Sequence, residues 1–113
     1  MKASIVLVVR NEEDYIDNCL NSVYAQSFRD WELVVIDDSS TDRTGAIVKA
    51  RADSRTKYVF QDGRIGLGAL RNRGVEESKG DYIFFTDGDC IPNKYWLAEG
   101  VSALDQSDDW FGV

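Results

Sequence analysis

Short apolar runs that recur between amphipathic stretches constrain this chain more than any other feature. Ser4 to Val9 is a continuous, β-branched run, the pattern of a strand covered on both faces rather than wetted on one. Three further runs follow at Glu32 to Asp37 (E-L-V-V-I-D), Lys57 to Phe60 and Asp81 to Thr86 (D-Y-I-F-F-T). After the first, Tyr15, Ile16, Cys19, Leu20, Val23 and Tyr24 recur at steps of one, three and four, which predicts one apolar helix face. Asn11 is expected to cap this helix, with Glu12, Glu13 and Asp14 in a first turn that the helix dipole favours for acids. A second helix is expected from Ser40 or Thr41, packed through Ala46, Ile47 and Ala50. A third runs from about Leu67 to Ser78, packed through Leu67, Leu70 and Val75 and stopped by Gly80. Pro92 is expected to open a fourth helix, through Tyr95, Trp96, Val101 and Leu104, where its missing N–H costs nothing. Trp110 to Val113 reads as the start of a fifth strand.

Strands that alternate with helices imply an α/β fold: a doubly wound, mostly parallel sheet with helices on both faces. The 113 residues suit a single domain, 1–113. In such sheets ligands bind beyond the carboxyl ends of the strands, near the switch in strand order. Those ends are therefore where chemistry is sought.

Composition removes several classes. Acidic residues number 20 against 13 basic, a net charge of −7, so no basic field exists to displace counterions from nucleic acid. The chain has no histidine, which excludes histidine catalysis and the usual zinc-finger sites. Its two cysteines, Cys19 and Cys90, form neither a disulfide framework nor a metal-type spacing. The apolar run after Met1-Lys2 is short, ends at Arg10 and has no small-residue cleavage site, so it reads as a strand and not a signal peptide. No segment is long enough to cross a bilayer. A cytoplasmic location is expected, with contact at the inner face of a membrane only through regions outside this chain.

Three strand ends carry polar or acidic residues: Arg10-Asn11, Asp37-Asp38-Ser39-Ser40 and Thr86-Asp87-Gly88-Asp89. The first, second and fourth strands are expected to be neighbours, so that these tips converge on one crevice. Asp87 and Asp89, separated by one glycine, repel unless a hard cation such as Mn²⁺ or Mg²⁺ sits between them. A bare D-G-D is more often a solvated turn, but its place after a buried strand at the ligand edge favours the metal. The Asp-Ser cluster can cap the second helix, and one of its two carboxylates stays free to accept an N–H, such as that of a pyrimidine base. Gly63 to Gly68 is neither a Rossmann fingerprint nor a P-loop and reads as a flexible loop. Arg71 or Arg73, at the start of the helix beyond it, is placed to reach a phosphate, and each is equally explained as a solvated arginine. Trp31, Trp96 and Trp110 read as core, Cys19 as buried and inert, and Cys90 as a residue with no support for a nucleophilic role.

Four ordered blocks, S-I-V-L-V-V-R-N-E-E-D-Y-I-D-N-C-L-N-S-V-Y-A-Q-S-F, W-E-L-V-V-I-D-D-S-S-T-D-R-T, G-L-G-A-L-R-N-R-G and K-G-D-Y-I-F-F-T-D-G-D, resemble the GT-A glycosyltransferases, and within them the large family-2 group. The resemblance implies a donor-binding part of an enzyme that transfers a sugar from a nucleoside-diphosphate sugar, usually UDP-linked, with inversion, to a saccharide, lipid or protein acceptor. It implies that Asp38 binds the base, that Asp87 contacts ribose or metal-bound water, and that Asp89 ligates the metal on the diphosphate. Val8, Arg10, Asn11 and Arg71 would lie along the same donor. Val9 and Arg10 stand where relatives often have proline and an aromatic residue, and Cys90 stands where many have another Asp. The catalytic base and the acceptor loops are expected in a later segment than this chain contains, so the part alone is expected to bind rather than to turn over. Two other readings compete. A receiver-like Mg²⁺ module needs an acidic pair after strand 1, where Arg10-Asn11 stands; a nucleotidyltransferase needs a glycine-rich phosphate loop there.

Overall fold

A computed structural model describes residues 1–106 of the chain. Four strands, β1 (Ala3–Val9), β2 (Trp31–Asp38), β3 (Thr56–Gln61) and β4 (Tyr82–Asp87), alternate with α1 (Ile16–Tyr24), α2 (Thr44–Arg51), α3 (Leu67–Glu76) and α4 (Trp96–Gln106). All strand pairs are parallel, in the order β3-β2-β1-β4. The chain adds β2 and β3 on one side of β1 and then crosses to lay β4 on the other. The switch in order therefore falls between β1 and β4. The expected doubly wound α/β sheet is present.

β1 reads as an unbroken apolar run because both of its faces are covered. Ala3, Ile5, Leu7 and Val9 join Leu33 and Val35 of β2 against α1, α2 and α4, through Ile16, Leu20, Val23, Val48, Leu97 and Val101. Val6, Val34 and Ile36 face the other way, onto Leu70 of α3. Three helices cover one face and one covers the other. Trp31 is buried with the Arg55 guanidinium 3.8 Å from its ring centroid, and Trp96 meets Phe84 edge-on at 5.7 Å.

Several boundaries differ from expectation. Asn11 does not cap α1. Its φ is +49°, and Glu12, Glu13 and Asp14 form a preliminary turn in which the Glu12 carbonyl accepts from Tyr15 and Ile16 N–H. α2 begins at Thr44 and buries Thr44 and Val48, while Ala46 and Ala50 are exposed. Ile47 of the expected inner face does pack against the core, half-buried beside the fully buried Val48. In α3 the inner pair is Leu70 and Gly74; Leu67 and Val75 are 49% and 41% exposed. Gly74 lies so close to Val6 that any side chain there would overlap it, so glycine, invisible to an apolar-pattern count, sets the helix rotation. Pro92 precedes α4 without entering it, and α4 packs through Leu97 and Val101. The fifth strand read at Trp110 to Val113, and Trp110 as core, lie outside the described residues.

At the amino end of the sheet, the Ser4 hydroxyl donates to the buried Glu32 carboxylate (2.5 Å) and accepts from Gly80 N–H (2.8 Å), and Lys79 N–H also donates to Glu32. A Cβ on Gly80 would lie 2.5 Å from the Ala3 carbonyl carbon and 2.6 Å from Ser4 N, backbone atoms that cannot swing aside. Gly80→Ala is therefore expected to lower stability by about 2–3 kcal/mol in urea unfolding, as overpacking does. An unchanged midpoint would show that the α3–β4 connection is not held this tightly.

Candidate functional site

The carboxyl tips of β1, β2 and β4 lie side by side at one edge of the sheet, at the switch in strand order. The loops after β1 and β2 are laced together. Asn11 Oδ1 accepts from Thr41 and Asp42 N–H (2.9 and 3.3 Å), Asn11 N–H donates to Ser40 Oγ (2.9 Å), and Glu12 N–H donates to Thr44 Oγ1 (2.8 Å). Positive φ at Asn11 and at Ser39 (+57°) turns each strand sharply at its end. Asp42, and neither Asp37 nor Asp38, prepares the start of α2 by accepting from Thr44 N–H and Oγ1.

Strand alternation separates Asp37 from Asp38. Asp37 lies on the face of Leu33 and Val35. It accepts from Ser40 N–H (2.9 Å) and from the Tyr58 phenol (2.5 Å), whose pKa is raised by burial and by that carboxylate. Asp38 lies on the opposite face with Val34 and Ile36. It is only 6% exposed; Oδ2 faces Arg64 Nε at 3.2 Å, and Oδ1 has no partner among the described residues. A buried acceptor without a partner is costly, and no donor among the described residues satisfies this one.

Register places more residues on that face. Val8 pairs with Ile36 on one side and Asp87 on the other. Asp87 therefore shares the α3 face with Val8 and Asp38, and Phe85, two residues back, carries the exposed Arg71 guanidinium 5.6 Å from its ring centroid. Val8, Asp38, Asp87 and Arg71 come to one side of the strand tips. Arg10 is exposed at the end of β1, and Asn11 spends its side chain on the loop lacing. Arg73 is engaged with Gln61 Oε1, whereas Arg71 stays exposed over Phe85.

The Asp87-Gly88-Asp89 turn is closed by Cys90 N–H donating to the Asp87 carbonyl (3.0 Å). Gly88 is required by proximity: a Cβ there would lie 2.9 Å from Val9 Cγ1 and 3.0 Å from Glu12 Cγ. Ligand atoms of Asp87, Asp89 and Cys90 all lie within 4.8 Å of one another, and all three residues are exposed. Opposed ligands of a cation bound at about 2.1 Å are roughly 4.2 Å apart, so a small rotamer adjustment would let a divalent ion touch this set. Two hard carboxylates suit Mg²⁺ or Mn²⁺, and the thiol is the softer donor.

Two further residues shape the site. Glu12 is held above its usual carboxylate range by burial first and then by Asp89, Asp42 and Asp87. Gln26, fully buried, donates to the Ser22 and Asn93 carbonyls (3.2 and 2.7 Å) and accepts from Leu97 N–H (3.1 Å), while Ser27 N–H donates to the Lys94 carbonyl. Gln26 thereby ties the segment after Cys90 to the end of α1. Neither residue is visible in the pattern. Glu12 reads as one more acid of a helix start, and Gln26 as one polar residue past a helix end. Cys19 is buried as expected; burial, with Cys90 and Asp89 adding to it, pushes its thiol up to about 12, and its Sγ lies 3.5 Å from the Asp87 carbonyl.

A parallel sheet of this order, with helices on both faces, is the architecture of the GT-A glycosyltransferases. The model of "Glycosyl transferase family 2" matches residues 4–112, and the chain belongs to that family. Glycosyltransferase AglE of Haloferax volcanii is 36% identical over 105 residues, covering 89% of this chain and 34% of AglE. TarS of S. aureus, solved in complex with UDP-GlcNAc, superposes with a TM-score of 0.85 at 34% identity over 94% of this chain and 32% of that one. Mannosyltransferase PcManGT of Pyrobaculum calidifontis, in complex with GDP-Man and Mn²⁺, gives 0.85 at 26% identity over 91% of this chain and 32% of that one. The chain thus spans about a third of the length of these proteins.

The raised Glu12 value has a pH signature. Ionised Glu12 is penalised in the folded state at neutral pH, and the penalty vanishes as pH falls through its folded value and the group protonates. Without added divalent ions, Glu12→Gln is expected to raise the thermal midpoint near neutral pH, with the gain shrinking toward zero in acid. An equal gain at both pH values would show that the effect is not ionisation.

Proposed function

We propose that this chain is the donor-binding part of a glycosyltransferase that takes a sugar from a UDP-sugar with the help of Mn²⁺ or Mg²⁺. The observation that carries the reading is Asp38 Oδ1, a buried acceptor with no partner among the described residues, on the same face of the sheet as Asp87. Asp38 accepts the imino N–H of the base. Val8 supplies an apolar wall beside it, and Arg10 lies at the rim with Asn11 holding the loops in place. Asp87 and Asp89 would hold the metal, and Arg71 would add positive charge from α3. When bound, the ion supplies Lewis-acid stabilisation to the departing nucleoside diphosphate. Preorganised charge of this kind acts where negative charge grows in the transition state.

Support for a nucleotide-sugar donor comes from the neighbours themselves, since TarS is solved with UDP-GlcNAc and PcManGT with GDP-Man and Mn²⁺. Uridine is our assignment for this chain. Transfer with inversion, to a saccharide, lipid or protein acceptor, is carried over from the family resemblance, and no residue of this chain is assigned as the base. No helix among the described residues is long and apolar enough to cross a membrane, and a cytoplasmic location remains our reading. The receiver-like alternative is not favoured: the tip of β1 carries Arg10-Asn11, and the acids gather at β4.

Calorimetry of UDP with and without Mn²⁺ tests the site. Binding is expected to strengthen with Mn²⁺ in the native chain and to lose that increment in Asp89→Ala. Asp38→Ala is expected to weaken UDP by roughly 10- to 100-fold, the worth of one hydrogen bond to a charged group, while Mn²⁺-dependent binding of inorganic pyrophosphate persists. Metal-independent UDP binding would remove the metal assignment, and equal losses for UDP and pyrophosphate would remove the base contact.

A further inference from the structure

Cys90 reads in sequence as a thiol without a task, yet the chain on either side of it is fastened. Its N–H donates to the Asp87 carbonyl (3.0 Å), the same atom that Cys19 Sγ approaches at 3.5 Å from the buried side of α1. Further along, the buried Gln26 amide donates to the Asn93 carbonyl (2.7 Å) and holds the other end of the segment. Between these anchors the exposed Cys90 side chain lies beside the acids, with Sγ 3.8 Å from Asp89 Oδ1. That spacing has a chemical meaning. A metal bound tetrahedrally to sulfur at about 2.3 Å and to a carboxylate oxygen at about 2.1 Å separates the two by about 3.6 Å. Ligand atoms of Asp87, Asp89 and Cys90 all lie within 4.8 Å of one another, so the thiol joins the two carboxylates around one ion without a large movement.

We infer that Cys90 is a third protein ligand of the donor-site metal and makes the site favour sulfur-accepting transition ions over Mg²⁺. The inference rests on the metal assignment proposed above and adds to it the residue that sets the choice of ion. As the ion arrives, the thiol gives its proton to solvent and the sulfur–metal bond forms, with no electron transferred. Mg²⁺ takes oxygen ligands in near-octahedral geometry and sheds its waters reluctantly, so it gains little from a thiolate. Co²⁺ and Zn²⁺ accept sulfur and oxygen donors together, and Mn²⁺ stands between them and Mg²⁺. Two carboxylates alone suit the hard ions. A thiol in the third place gives the set a mixed character, and the remaining positions are left for diphosphate oxygens and water.

The test adds Co²⁺, with UDP present, to the native chain, Cys90→Ser, Cys90→Asp and Asp89→Ala. A sulfur–cobalt bond is expected to give the native complex a near-ultraviolet charge-transfer absorption. Cys90→Ser is expected to lose that absorption and keep the weaker visible bands of bound Co²⁺, at an unchanged thermal midpoint because the position is exposed. Calorimetry then reads the concentrations of Mg²⁺ and of Co²⁺ that bring UDP binding halfway to its full strength. The Mg²⁺-to-Co²⁺ ratio of these concentrations is expected to fall about tenfold or more in both Cys90 variants, the scale on which changes around a bound metal act. A native Co²⁺ complex without the absorption, or an unchanged ratio in both variants, would overturn the role of Cys90 and leave the donor site standing. Persistence of the absorption in Asp89→Ala would show that the thiol binds cobalt apart from the acids, and would overturn it equally. Failure of every ion to strengthen UDP binding to the native chain would overturn the metal assignment and the inference together.

Discussion

The structure depends on the pairing of β1, buried on both faces, between β2 and β4. Side chains of a strand alternate between faces, so slipping either neighbour by one residue would turn its whole set over. The observed register aligns Val8 with Ile36 and Asp87, and Val9 with Asp37. The outcome is aliphatic groups on both faces in the body of the sheet, and carboxylates just beyond it, where water begins. Asp38 and Asp87 share a side because each lies two residues beyond a neighbour on the α3 face, Ile36 in one strand and Phe85 in the other.

Gathering acids at one edge has a cost, which the surrounding structure offsets without neutralising them. Asp37 is satisfied by Ser40 and Tyr58, and Asp42 by Thr44 and Glu13 N–H. Asp87, Asp89 and Glu12 remain close together, and the raised Glu12 value records its own burial and their mutual repulsion. The scaffold beneath them is made of neutral hydrogen bonds. Asn11 laces two loops, and Gln26, from the middle of the core, holds the chain after Cys90. A neutral amide suits Gln26 because it is fully buried there without a charge penalty. Asp87, Asp89 and Cys90 are left exposed above this scaffold.

Long apolar runs and the acidic turn are legible in the sequence because they depend on periodicity and on chemistry that survives without neighbours. The D-G-D turn, the alternation of strands and helices, the burial of Cys19 and the adjacency of β1, β2 and β4 can all be argued from residue order. Helix faces are harder to read. Ala46, Ala50, Leu67 and Val75 are apolar but face outward, because Val48 and the absence of a side chain at Gly74 decide how α2 and α3 lie on the sheet. Asn11 has the chemistry of a cap for the helix that follows it and instead serves a loop some thirty residues on, a partner that local pattern cannot reveal.

By itself the sequence determined the fold class and the chemical character of each strand tip, because burial and charge are properties of residue types. Only the tertiary structure decided which tips share a face, which of Asp37 and Asp38 keeps an unpaired oxygen, and which arginine faces that carboxylate. Those outcomes follow from register and from loop hydrogen bonds between segments distant in the chain. The D-G-D motif acquires its place in the same way: Asp87 lies on the α3 face beside the tip of β1 because β4 pairs with β1 through Val8 and Asp87.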